Sequence, residues 1–92
     1  MEKIRQELHF FGQVQGVGFR YTAKYTASSL GITGWVRNEW DGSVKMEAQG
    51  SQIKIKNLIK QLENAPFIEI DRIIKKELPL DDYERTFKVR YE

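Results

Sequence analysis

Cysteine is absent from this chain, and histidine occurs once, as His9. Without a thiol there is no disulfide, no cysteine nucleophile, no cysteine-held zinc and no iron–sulfur cluster. A single imidazole argues equally against a His-rich metal site and against a serine–histidine–aspartate triad within one chain. Long apolar runs are missing too. None approaches the ~20 residues that span a bilayer, and the opening Met-Glu-Lys-Ile-Arg-Gln-Glu lacks the apolar centre of a signal peptide. A cytoplasmic protein with no membrane segment is therefore expected. Charge of one sign is lacking as well: 15 Lys and Arg against 13 Asp and Glu leave +2, which implies no nucleic-acid partner by itself. What remains is a 92-residue chain, 40% apolar and 12% aromatic, too short for two ordinary domains and too apolar for a disordered tail. Residues 1–92 are read as one domain, a monomer.

Residues 4–11 alternate Ile4, Gln6, Leu8 and Phe10 on one face with Arg5, Glu7, His9 and Phe11 on the other, the pattern of a strand. Gly12, Gly16 and Gly18 then mark a loop. From Thr22 to Leu30 the spacing of Ala23, Ala27 and Leu30 predicts a helix, with Gly31 placed to cap it in the left-handed conformation. Residues 33–39 and 43–49 read as two strands around Trp40-Asp41-Gly42, a hairpin signal. Ser51 can cap a second helix whose Ile55, Leu58, Ile59 and Leu62 share one face, and Asn64-Ala-Pro66 ends it. Residues 67–77 form a further strand, residues 79–84 a polar connection, and the alternation over 86–91 a short last strand. The order βαββαβ plus a terminal strand predicts an α+β ferredoxin-like sandwich, an antiparallel sheet with two helices on one face.

That fold hosts many functions, so activity has to come from a site. The segment Gly12-Gln-Val-Gln-Gly-Val-Gly-Phe-Arg20 joins the first strand to the first helix. It allows two readings. One is a tight strand-to-helix turn with a solvated Arg20. The other is an anion cradle, in which glycines turn successive N–H groups inward at a helix N-terminus and the Arg20 guanidinium matches two phosphate oxygens. It is neither a Walker loop, since no Gly-Lys-Ser/Thr closes it, nor a dinucleotide fingerprint, since Tyr21 stands where a small residue belongs.

The same run resembles the first signature of the acylphosphatases, G-x-V-Q-G-V-G-F-R, and Gly34-Trp-Val-Arg-Asn38 followed by Asp41-Gly-Ser-Val44 resembles the second. Length, order of elements and the closing Phe87-Lys-Val-Arg-Tyr91 also suit that family. The resemblance implies hydrolysis of the carboxyl–phosphate bond of an acyl phosphate to a carboxylate and inorganic phosphate. It implies Arg20 and Asn38 as catalytic pair, and Gln15, Gly16, Val17, Gly18, Phe19 and Arg20 as the phosphoryl-binding segment, with no cofactor and no metal. The chemistry is consistent with so small a set. A carboxylate whose conjugate acid has a pKa of roughly 4 leaves without a general acid. Fixed N–H donors and a guanidinium can then stabilise the charge on the equatorial phosphoryl oxygens. Asn38, able to donate and accept, suits orienting a water; its bland alternative is a strand-end residue satisfying a turn. Inorganic phosphate and sulfate should compete with substrate.

His9 is read as an ordinary strand histidine rather than a general base, and Trp35 and Trp40 as packing or hairpin residues. Glu39 follows Asn38, and on a strand its carboxylate should point to the opposite face from it. Two other readings of the chain differ in class. An RNA-recognition module would stack bases on aromatics of the third strand, and Ser43-Val-Lys-Met-Glu-Ala-Gln49 has none. A phosphate-loop part of a larger carbamoyl-transfer system is the other, and so short a chain speaks for a free enzyme instead.

Overall fold

The computed structural model describes residues 2–91. The chain runs β1 (Lys3–Gln13), α1 (Phe19–Ser29), β2 (Thr33–Asn38), β3 (Val44–Ser51), α2 (Gln52–Asn64), β4 (Glu69–Leu78) and β5 (Phe87–Arg90). The strands form one sheet in the order β4-β1-β3-β2-β5. Leu8 and Phe10 of β1, Val36 of β2 and Val44, Met46 and Ala48 of β3 bury one sheet face. Against it pack Phe19, Ala23 and Ala27 of α1 and Ile55, Leu58, Ile59 and Leu62 of α2. The expected ferredoxin-like sandwich is what forms, because only one face of the sheet and one stripe of each helix are apolar enough to exclude water.

Helix ends follow local chemistry. The Ser51 hydroxyl accepts from the Lys54 N–H at 3.3 Å and starts α2. At the end of α1, Gly31 N–H donates to Ser28 O and Ile32 N–H to Ala27 O, the paired bonds expected of a glycine-capped helix end. The start of α1 differs from the sequence reading: the helix begins at Phe19, not Thr22, since Thr22 N–H already donates to Gly18 O at 3.0 Å. Arg20 therefore lies within the first turn. Strand β1 also runs past Phe11, and Gly12 sits in it where the pairing with β4 shifts register.

One edge departs from an all-antiparallel sheet: β5 pairs with β2 in parallel. The reason is geometric. β4 and β5 occupy opposite edges, so the 79–86 connection must cross the sheet, roughly 20 Å at strand spacing. It crosses at one end, so β5 returns against the direction of β4, which is the direction of β2. The crossing lies on the face opposite the helices. There Gln49 bonds both the N–H and the carbonyl of Asp81, and Arg5 holds Glu84 at 2.8 and 3.1 Å. Among the described residues, no helix is long and apolar enough to cross a membrane.

Candidate active site

At the opposite end of the sheet, the β1–α1 loop, the end of β2 and the end of β5 meet around a cleft of about 160 Å³. Val14, Gly16, Gly18, Phe19, Arg20, Tyr21, Asn38, Val89 and Tyr91 line it. Gly16 and Gly18 take φ of +73° and +78°, left-handed conformations that an L side chain adopts only under strain. A Cβ at either would meet nothing within 4 Å, so these positions are glycine for backbone conformation rather than for space. Gly18 is the N-cap of α1 and offers no side-chain acceptor, and the first turn carries no acidic residue. The unpaired N–H groups and positive end of the helix dipole are thus left uncompensated by the protein.

Arg20 projects from this first turn. Its guanidinium lies 5.0 Å from the ring centroid of Tyr91, and among the described residues no carboxylate pairs with it. Asn38 is the last residue of β2, on the helix-facing side with Val36. Its half-buried amide makes no hydrogen bond among the described residues. The turn that follows is satisfied without it, by Glu39 N–H to Ser43 O at 2.8 Å and by the Asp41 carboxylate, which accepts from the Ser43 N–H and hydroxyl. The turn-satisfying role is therefore filled by other residues. Glu39 points to the other face, where it pairs with Arg37 at 2.8 Å and lies 3.8 Å from Lys45.

The remaining residues of the expected segment divide. Gly16, Gly18, Phe19 and Arg20 face the cleft, whereas Gln15 and Val17 do not line it. Val17 packs against the core. The Gln15 amide donates to Glu39 O at 2.6 Å and Ser43 O at 2.8 Å, leaving its backbone N–H as the part available to an anion. His9 lies on the far face of β1, with Nε2 at 2.6 Å from the Ser43 hydroxyl. Since that hydroxyl donates to Asp41, Nε2 carries the hydrogen, and His9 is no base for the cleft. Trp35 is 7% exposed beneath the Arg37 and Arg90 guanidiniums, while Trp40 is 99% exposed at the hairpin tip, so it belongs to the turn and not to packing.

Val14 and Tyr21 also line the cleft without belonging to the expected site, and so do Val89 and Tyr91 of the closing segment. For the last two the signal was there: Phe87 is core, and period-2 alternation puts 89 and 91 on its face. Tyr21, on the rim, meets Tyr25 edge to face with ring centroids 5.1 Å apart, and this neighbouring phenol raises the Tyr21 hydroxyl above its ordinary range.

This is an α+β sandwich that brings a glycine loop, an uncapped helix N-terminus and an arginine without a carboxylate partner to one cleft, a set of groups whose chemistry suits a small oxyanion. The matching family model narrows this: Acylphosphatase, over residues 6–89. An acylphosphatase of Leuconostoc mesenteroides is 46% identical over 76 residues, covering 80% of this chain and 84% of that protein. One of Bifidobacterium longum is 43% identical over 89 residues, covering 95% and 92%. The crystal structure of acylphosphatase from Bacillus subtilis superposes with a TM-score of 0.87 at 29% identity, covering 96% of this chain and 99% of that one. The chain belongs to the acylphosphatase family, enzymes acting on small acyl phosphates.

Proposed function

We propose that the cleft binds the phosphoryl group of an acyl phosphate and directs water onto its phosphorus. The backbone N–H groups of residues 15–20 and the Arg20 fork take the three phosphoryl oxygens, and Asn38 holds the water through its amide. The P–O bond to the acyl carboxylate breaks as the water oxygen bonds to phosphorus. The carboxylate leaves unprotonated, and the proton of the water passes to the phosphate product or to solvent. No cofactor is needed. The observation that carries the reading is the convergence on one cleft of an unpaired guanidinium, an uncapped helix N-terminus and an unpartnered amide.

The chain works as a monomer in the cytoplasm in this reading, since one chain supplies every group. The test is phosphate release from acetyl phosphate, with inorganic phosphate and sulfate as competitors. Turnover should survive exhaustive chelation, because among the described residues no three His, Asp or Glu side chains are grouped to hold a metal ion. Both anions should inhibit competitively. Activity that disappears with chelator and returns with Mg²⁺, or anions that inhibit without raising KM, would overturn the site.

A further inference from the structure

We propose that the Gln15 side chain is a positioning residue that sets the distance between the two halves of the site, the phosphoryl cradle and the water-holding Asn38. The proposal rests on the functional reading above. The cradle hangs on β1 and α1, and Asn38 ends β2, but β3 lies between β1 and β2 in the sheet. No ladder of backbone bonds therefore links the two directly. The Gln15 amide does so instead. Its two N–H groups reach across 24 and 28 positions of chain to the carbonyls of Glu39 and Ser43, at 2.6 and 2.8 Å. Among the described residues, no other hydrogen bond joins the 14–18 loop to the β2–β3 turn.

The anchor is itself rigid. Ser43 is buried, its carbonyl also accepts from Glu39 N–H, its N–H and hydroxyl donate to Asp41, and His9 of β1 holds the hydroxyl from the other side. The Asn38–Glu39 peptide is tied to the same frame, because its N–H donates to the Ser43 carbonyl at 2.8 Å. A side chain that uses both amide hydrogens on this frame fixes where the loop stands relative to Asn38. Its own backbone N–H stays free for the phosphoryl group. Alignment of a nucleophile is sensitive to such spacing, with about 100-fold at stake for a misplacement of 1 Å.

The experiment is a double-mutant cycle of Gln15→Met, which keeps length but removes both donors, with Asn38→Ala, using acetyl phosphate as substrate and inorganic phosphate as ligand. In the parent background Gln15→Met should lower kcat about 10- to 100-fold and leave KM and phosphate inhibition within about threefold. In the Asn38→Ala background the same change should cost less than about threefold. Equal losses in both backgrounds, or an unchanged kcat, would make Gln15 a loop stabiliser and overturn the proposal. A parent that does not turn over acetyl phosphate would overturn the functional reading instead. Should Gln15→Met not fold, amide exchange in the ¹⁵N-labelled parent decides: both Gln15 side-chain hydrogens should be protected, and exchange at the rate of a free amide would overturn the clamp.

Discussion

Arg20 and Asn38 are asked for different things, and kinetics can tell them apart. A guanidinium that bridges phosphoryl oxygens acts in both ground and transition states. Arg20→Ala should therefore raise KM and lower kcat together, a loss of about 3 kcal/mol in kcat/KM. Arg20→Lys should restore little, since an ammonium keeps the charge and loses the fork. Near-parental kinetics for the lysine variant would mean that charge alone matters. In the proposed mechanism Asn38 contributes once substrate is bound. Asn38→Ala should lower kcat about 100-fold with KM and phosphate inhibition nearly unchanged. Asn38→Asp should do no better and should also weaken phosphate binding, because it sets a negative charge before a dianion. A folded Asn38→Ala protein that turns over acetyl phosphate at the parent rate would return Asn38 to a passive strand end.

The β2–β3 hairpin carries Asn38, and two features keep it in place. Gly34 has φ of +146°, and a Cβ there would lie 1.8 Å from the Glu47 carbonyl oxygen, in a strand boxed between β3 and β5. Backbone cannot yield as a side chain does. Gly34→Ala should lower unfolding stability by more than about 2 kcal/mol. Gly16→Ala, with open space above it, should cost only the ~1 kcal/mol of a left-handed alanine. Urea unfolding of the two variants checks the order. At the turn, the Ser43 hydroxyl and then its N–H hold the Asp41 carboxyl below its usual range, with the His9 charge adding to the effect. Folding thus favours the ionised form. The stability from this contact is complete above the unfolded carboxyl value of about 4 and is lost as pH falls through the lower folded one. Asp41→Asn, which has no such titration, should be less stable than the parent at neutral pH and show a flatter decline below it. Parallel curves of urea midpoint against pH would exclude the contact as a source of acid sensitivity.

Across the whole molecule, the connection that leads into β5 is held by a contact at the end of the sheet far from the cleft. Arg5 is 5% exposed and carries Glu47 and Glu84, each at 2.8 Å. The two carboxylates keep its guanidinium protonated, well above the usual arginine value, against the opposing effect of burial. Glu84 belongs to the connection that delivers β5, and β5 leads Val89 and Tyr91 into the cleft. Arg5→Met should leave the half-buried carboxylates unpaired and cost about 2 kcal/mol, below the range for fully buried pairs because both acids retain some solvent. Glu84→Gln in the same chain should recover part of it. The measurement is the urea midpoint of the single and double variants, and an additive double would show that the two side chains do not depend on each other.

Much of this was legible from neighbouring residues. The helices, the Gly31 and Ser51 caps, the 40–42 turn and the opposite facing of Asn38 and Glu39 follow from spacing of 3.6 or 2 residues and from backbone chemistry confined to a few positions. That a loop joins β1 to α1 was readable for the same reason, whereas the expected catalytic role of Arg20 came only with the family resemblance. Other features were decided only when distant segments met. The parallel seat of β5 depends on which edge the 79–86 crossing reaches. Tyr91 beside Arg20, Gln15 on the Ser43 carbonyl, and Arg5 on Glu84, 79 positions away, are pairings between surfaces that local periodicity does not register. For the buried members, Arg5 and Ser43, the energies exist only in the packed chain: burial strips water from them, and each must then find its partner across the sheet.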